Sequence, residues 1–195
     1  MVHPSRRRAA AVAGHAGDEA GARVLLTDPD PAVRATALGA LGRLGRAGVA
    51  EVEAALADAS PEVRRRACAV AVGVAGVDLV AMLDDPDAGV VEVAAWALGE
   101  RAGAHGDTVA RLSTVATTHD DPLCREAAVA ALGAIGDGRG LPAILAATKD
   151  KPAIRRRAVI ALAPFEGPEV EEALTAATAD RDWQVRQAAE DLQAD

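Results

Sequence analysis

The chain has 195 residues, of which 50% are hydrophobic, and a formal net charge of -8 at pH 7. That length and apolar content suffice for a sizeable buried core. The acidic balance disfavours general affinity for nucleic acid or an anionic membrane, because both require a positive surface. Aromatic residues make up only 2% of the chain, so small aliphatic side chains must do most of the packing.

The N-terminal segment MVHPSRRRAAAVAGHAG combines three arginines with a short apolar run that His15 interrupts. This run contains only Ala, Val and Gly, so it is not hydrophobic enough for the apolar region of a secretory signal. Residues 4–14 instead predict one degenerate helix that caps a helical array. Cys68 and Cys124 fall within apolar helical patterns, which favours buried thiols in a reducing compartment. We therefore expect a cytoplasmic protein, and no stretch approaches the ~20 apolar residues of a membrane span.

One sequence pattern recurs about every 30 residues, and DPDPAVRATALGALGRLG at 28–45 is its clearest copy. Aligning the copies on the Val-Arg step brings six positions into register: Arg34, Arg64, Val91, Arg125, Arg155 and Arg186. A period of this length is typical of stacked supersecondary units.

Each copy carries the signals of a helix start. Before the apolar positions stands a residue that can cap free backbone amides, and in five copies this residue is Asp30, Ser60, Asp87, Asp121 or Asp182. Proline follows at the first helical position in Pro31, Pro61, Pro122 and Pro152. The apolar residues then recur with helical spacing, as at Val33, Ala37 and Leu41. Glycines later in the copies mark helix ends or close helix contacts, as at Gly99, Gly103, Gly133 and Gly136.

A shorter amphipathic segment precedes each of these helices, for example VAEVEAALAD, VDLVAMLDD and PEVEEALTAATAD. Each repeat is thus predicted to be a helical hairpin that cannot bury both of its faces alone. The sequence predicts an all-α fold, a right-handed α-solenoid of about six stacked hairpins. We expect residues 1–195 to form a single domain, with the degenerate helix near 4–14 as its N-terminal cap.

The phrase D-x-D-P-x-V-R-x-x-A-x-x-A-L-G, seen in DPDPAVRATALGALG and DDPLCREAAVAALGAIG, resembles HEAT-like repeats of the bacterial type also found in phycobilisome lyases. The resemblance covers residues from about 18 to 195. It implies an armadillo-type superhelix with the first helices on the convex side and the second helices on the concave side. It indicates the fold and says little about activity.

The resemblance also implies a structural ladder in which each motif arginine bonds aspartates of adjoining turns. The arginines of this ladder would be Arg34, Arg64, Arg125, Arg155 and Arg186. Its aspartates would be Asp28, Asp58, Asp85 and Asp180, each six residues before an arginine position. Val91 interrupts the ladder in the third copy. The remaining arginines of the triplets at 6–8, 64–66 and 155–157 form either a solvated face or a contact surface.

The third copy also contains Glu92, Trp96 and Glu100 at four-residue steps, which place them on one helix face. Other copies hold very different residues at the Trp96 position: Gly39, Ala69, Ala130, Ile160 and Asp191. Two interpretations stay open, since Trp96 either anchors a partner at the surface or fills a gap between small neighbours. The partner-binding hypothesis comprises Glu92, Trp96, Glu100, Arg65, Glu126 and Arg156.

Three enzyme classes use similar solenoids, and each requires residues that this sequence can be compared with. A hydroxylase resembling deoxyhypusine hydroxylase needs His-Glu pairs, whereas the four histidines, His3, His15, His105 and His119, precede Pro, Ala, Gly and Asp. A repeat-type DNA glycosylase needs a cationic groove with aromatic residues. A phycobilin lyase needs aromatic walls and basic residues for a tetrapyrrole, and only the arginines are present. Nucleophile and phosphate-loop motifs are missing.

The sequence therefore predicts a non-catalytic scaffold that binds a partner protein on its concave helix row. We expect no catalytic residue, metal or cofactor, and no nucleic-acid or membrane partner. The carboxylates around Trp96 favour a partner with a basic segment. The alternative is an accessory subunit of a phycobilisome-lyase type, contacting a tetrapyrrole or its carrier protein.

Overall fold

A computed structural model describes residues 4–101 and 107–194, with side chains described from Arg6 onward. Within these ranges the regular elements are all helical, with twelve α-helices and no strand. The backbone groups into two compact units, Met1–Ala94 and Ala95–Asp195, and each is described by itself. The boundary between them falls within helix α6, Ala88–Glu100. The expectation of a single domain stays a prediction.

The first unit is built on five complete α-helices: α1 (Pro4–Ala16), α2 (Glu19–Val24), α3 (Pro31–Arg43), α4 (Val49–Leu56) and α5 (Pro61–Ala71). Helix α3 packs against both α1 and α5, so these three helices form one row. Helices α2 and α4 pack on its other side. The predicted capping helix is thus α1, which runs two residues beyond the expected end. Its Ala10 and Ala13 pack in the core with Val33, Ala37 and Leu41.

The first segment of the third hairpin differs from the prediction. VDLVAMLDD forms only a 3₁₀ helix at Val80–Asp84, not an α-helix. This repeat has the shortest spacing in the chain, so less sequence separates α5 from α6. One tight turn still buries the essential apolar groups, because Leu79 and Leu83 are 0% and 3% exposed.

The second unit contains six further α-helices: α7 (Thr108–Thr118), α8 (Pro122–Ile135), α9 (Leu141–Ala147), α10 (Pro152–Ala161), α11 (Pro168–Ala177) and α12 (Trp183–Ala194). Helix α10 packs against α8 and α12 in one row, and α7 packs against α9 in the other. The second helices form a row in each unit: α1, α3 and α5 in the first, and the end of α6 from Ala95 onward with α8, α10 and α12 in the second. Each is called the second-helix row of its unit below.

The predicted helix starts are present. Proline occupies the first turn of α3, α5, α8 and α10. The carboxylates of Asp30, Asp121 and Asp182 accept hydrogen bonds from the amide two residues later, and Asp87 accepts one from Val90. Ser60 is the exception, because it occupies the N-cap position but its hydroxyl makes no capping hydrogen bond.

Two glycines let neighbouring second helices approach closely in the second unit. A Cβ added to Gly133 would lie 2.7 Å from the Ala161 Cα atom, and one added to Gly99 would lie 2.8 Å from the Ala131 Cα atom. Gly136 ends α8 with a φ of 68°, a conformation that favours glycine. Gly103 lies outside the described residues. These glycines therefore set the spacing at which the helices stack.

Candidate functional site

The motif arginines of the first unit connect consecutive repeats. Arg34 donates from Nε and Nη2 to both carboxylate oxygens of Asp58, at 2.8 and 2.7 Å, and from Nη1 to the Asp28 carbonyl oxygen at 2.8 Å. Arg64 makes the same pattern with Asp85 and with the Asp58 carbonyl oxygen. Each guanidinium thus joins the loop of its own repeat to the carboxylate of the next.

The same arrangement recurs in the second unit. Arg125 donates to both carboxylate oxygens of Asp150, and Arg155 donates to both oxygens of Asp180. Asp150 is not among the predicted ladder aspartates because it lies five, not six, residues before its arginine position. A pattern search that allowed a one-residue shift would have found it.

The two ends of the ladder differ from its middle. Asp28 accepts a hydrogen bond from Arg6 Nη1 at 3.0 Å, so α1 supplies an arginine that the repeat alignment did not include. Arg186 donates only to the Asp180 carbonyl oxygen, at 2.7 Å, among its described contacts. Val91, which replaces the arginine of the third copy, is 1% exposed and belongs to the core.

The arginine partners change the protonation of the ladder carboxylates. Hydrogen bonds from the guanidinium groups hold the pKa of Asp58, Asp85, Asp150 and Asp180 below its ordinary value, and partial burial opposes this shift. The paired arginine side chains are only 7–18% exposed. Because their donors are occupied by protein groups, these arginines stabilise the stack and are not available to a ligand.

Trp96 lies at the surface of α6, where it is 45% exposed. The position five residues after the motif arginine is also exposed in later repeats, since Ile160 is 39% exposed and Asp191 is exposed. Ala130 is half-buried there, and Gly39 is covered by the Arg66 side chain. This position is therefore at the surface in three copies, at Trp96, Ile160 and Asp191, and is covered or half-buried in the other three, which hold Gly39, Ala69 and Ala130.

The other residues of the partner-binding hypothesis lie on the second helices but in different settings. Glu92 is half-buried and Glu100 is exposed, one turn before and one turn after Trp96 on α6. Arg65 and Arg156 are exposed. These two arginines have no ion pair with another described residue.

Glu126 differs from those residues because it is engaged by a neighbouring helix. Its Oε1 lies 3.5 Å from Arg157 Nε, and this ion pair does not meet hydrogen-bond geometry, since that nitrogen is buried without a hydrogen-bond partner. Glu126 is therefore only partly available to a partner.

A shallow groove between α10 and α12 was not anticipated from the sequence. It has a volume of about 260 Å³, and its lining includes Arg156, Ile160, Trp183, Gln187 and Asp191. Trp183, the first residue of α12, is 65% exposed. The second-helix row of the second unit thus presents apolar side chains beside both signs of charge.

No group of three or more His, Cys, Asp or Glu side chains that could hold a metal ion occurs within residues 4–101 and 107–194. His3 and His105 lie outside the described residues. Cys68 and Cys124 are buried and form no disulfide. No helix in the described part of the chain is long and apolar enough to cross a membrane.

The stacked helical hairpins agree with the comparison with known families. Sequence models of HEAT repeats match residues 77–153 and residues 23–47. The chain belongs to the HEAT-like repeat family. The fold of this HEAT-repeat chain is an all-helical, armadillo-type solenoid, as the sequence predicted. The bacterial lyase-type subfamily stays a prediction.

Solved structures similar to this HEAT-repeat chain have low sequence identity and show the fold alone. The Escherichia coli protein YibA has 18% identity and a TM-score of 0.69, over 94% of this chain and 70% of that one. A designed armadillo repeat protein in complex with the peptide (KR)4 has 19% identity and a TM-score of 0.61, over 89% and 97%. Human deoxyhypusine hydroxylase, in complex with glycerol, has 21% identity and a TM-score of 0.52, over 97% and 78%. The search of curated proteins finds no match.

Proposed function

We propose that this HEAT-repeat chain is a non-catalytic scaffold that binds a partner protein along its second helices. The ladder arginines and aspartates hold consecutive hairpins together and leave the outer faces of the second helices free for contacts. A fold of this kind supports many functions, so the proposal depends on the surface residues and not on the fold alone.

The observation that carries the proposal is the exposure of Trp96. An indole that is 45% exposed on a helix surface, in a chain with only two tryptophans, offers a large apolar area to a partner. Tryptophan is enriched among residues that dominate binding energy, because its ring excludes much water when it is covered. The same row presents Ile160 at the equivalent position.

The carboxylates beside Trp96 define the chemistry of the partner. Glu92 and Glu100 lie one turn away on α6, so a segment with Lys or Arg next to an apolar residue would complement this face. The similar designed armadillo protein is a complex with the peptide (KR)4, which supports a basic peptide as the partner. The net charge of -8 favours a protein over a nucleic acid.

A peptide-display experiment tests this function. A library of random peptides is selected against the wild-type chain, and the selected peptides and (KR)4 are measured by fluorescence anisotropy. We expect enrichment of Lys and Arg beside apolar residues. Trp96→Ala should weaken binding about 30-fold, or ~2 kcal/mol, as loss of a central aromatic anchor does.

Val24→Ala is the matched control, because Val24 is an exposed apolar residue on α2, outside the second-helix row. It should leave the peptide affinity unchanged. Equal affinities of the wild type, Trp96→Ala and Val24→Ala variants would show that Trp96 is not part of the binding surface.

A further inference from the structure

A groove in the first unit gathers positive charge on an otherwise acidic protein. It has a volume of about 540 Å³ and is lined by residues of α1, α3 and α5. Its lining consists of Arg7, Arg8, Ala11, Thr36, Gly39, Arg43 and Arg66. Four of these residues are arginines, and none is acidic. Three helices that are far apart in sequence thus direct guanidinium groups to one place.

These arginines differ from the ladder arginines because no hydrogen bond or ion pair joins them to another residue in the part of the chain that the structure describes. Arg7, Arg8, Arg43 and Arg66 are all exposed, and none makes an ion pair with another described residue. By contrast, the adjacent Arg6 pairs with Asp28 at 3.0 Å. The groove therefore holds several donors that protein carboxylates leave unoccupied.

Two glycines shape the groove by giving two of the arginines space to lie across a neighbouring helix. A Cβ on Gly39 would lie 3.2 Å from Arg66 Cδ and 3.3 Å from its Nε, so the α5 side chain rests on the surface of α3. A Cβ on Gly14 would lie 2.6 Å from Arg43 Nη2, so the α3 side chain rests on α1. The arginines consequently lie along the row, close to its surface.

The remaining polar residue of the groove has its donor in use. The Thr36 hydroxyl donates to the Ala32 carbonyl oxygen at 2.7 Å, so the free donors are those of the arginines. Guanidinium groups bind carboxylates through paired hydrogen bonds. Charge complementarity at this groove is therefore specific for an anionic group, although the whole chain has a charge of -8.

We infer that the groove formed by Arg7, Arg8, Arg43 and Arg66 binds an acidic segment of a partner protein through its carboxylates. The repulsion expected between this acidic chain and a long polyanion favours a short acidic peptide over a nucleic acid. This inference rests on the proposed function, because both place a partner protein on second helices. The groove is a second site, and it prefers the opposite charge to the Trp96 surface.

The test uses the full chain and a fluorescein-labelled peptide of alternating Glu and Asp, eight residues long, in about 50 mM salt. We expect saturable binding that weakens as salt rises, because the contacts are ionic. Arg43→Glu and Arg66→Glu should each weaken it at least about tenfold, as loss of an ionic contact of ~1.4 kcal/mol would. Arg66→Lys should weaken it less, since it keeps the charge and loses the paired donors.

Arg181→Glu is the matched control, because Arg181 is exposed on the loop before α12 and undergoes the same change of charge. It should leave the acidic peptide bound as tightly as the wild type does. Circular dichroism melting confirms that each variant is folded. An equal loss with Arg181→Glu, or no saturable binding by the wild type, would overturn the inference.

Two further measurements separate the possible partners. Single-stranded oligo(dT) of 12 nucleotides should bind more weakly than the acidic peptide, and tighter binding that depends on Arg43 and Arg66 would instead identify a nucleic-acid surface. Trp96→Ala should leave the acidic peptide bound normally. Absence of binding to basic peptides would contradict the proposal for the Trp96 surface, and absence of binding to the acidic peptide would contradict the proposal for this groove. The two proposals can therefore fail separately.

Discussion

The guanidinium of Arg155 donates to both carboxylate oxygens of Asp180, with Nε–Oδ2 and Nη2–Oδ1 distances of 2.8 and 2.7 Å. A third bond, from Nη1, reaches the Asp150 carbonyl oxygen at 2.9 Å. The two side chains are 7% and 15% exposed. One arginine thus satisfies partly buried acceptors in two successive repeats.

The first prediction removes this arginine. Arg155→Met leaves the Asp180 carboxylate partly buried without its partner, and we expect the free energy of unfolding to fall by about 3 kcal/mol. Arg156→Met is the control, because Arg156 is exposed beside Arg155 and makes no ion pair with a described residue. It should change stability by less than about 0.5 kcal/mol. Urea unfolding of both variants measures the difference, and equal values would contradict a structural role for Arg155.

The second prediction concerns acid. The pKa of Asp58, Asp85, Asp150 and Asp180 is lower in the folded chain than in the unfolded chain. The stability from these pairs is therefore fully present above the unfolded pKa of about 3.9 and is lost as pH falls through the folded values. The urea midpoint should decrease steadily below about pH 4, and Arg155→Met should show a shallower decrease. Parallel curves for the two proteins would argue against this linkage.

The third prediction compares two glycines of the second helices. Gly133→Ala should destabilise the chain by about 1–3 kcal/mol, because the new methyl group would overlap the Ala161 backbone. Gly39→Ala meets only the flexible side chain of Arg66, so the higher helix propensity of alanine should make it neutral or up to ~1 kcal/mol stabilising. Thermal melting of both variants tests this, and a stabilised Gly133→Ala variant would show that the helices can move apart freely.

The fourth prediction concerns the tryptophan on α6. Because Trp96 is 45% exposed, Trp96→Ala should lower the free energy of unfolding by roughly 1–2 kcal/mol, less than the ~3–5 kcal/mol of a fully buried aromatic residue. Leu98→Ala, two residues later and 7% exposed, should cost about 2–5 kcal/mol. Chemical unfolding decides this, and a larger loss for Trp96→Ala than for Leu98→Ala would place the ring in the core.

The sequence by itself determined the repeat, the helix starts and the all-helical class. These features depend on local chemistry: proline at the first helical turn, aspartate before it, and apolar residues at helical spacing. The pattern was less informative where the spacing changed. In the shortest repeat, the segment predicted as an α-helix forms the 3₁₀ helix at Val80–Asp84. Asp150 was not predicted as a ladder residue because it lies one position away from the expected spacing.

Only the tertiary structure decided which side chains meet across helices. Arg43 and Arg66 reach one groove because Gly14 and Gly39 leave room for them, and Arg6 reaches Asp28 from the degenerate helix α1. The same applies to Trp96, whose surface position depends on what its neighbours cover. Helical periodicity fixes the face of a residue within one helix, whereas the distance and overlap between helices are set by the packing of small side chains that are distant in sequence.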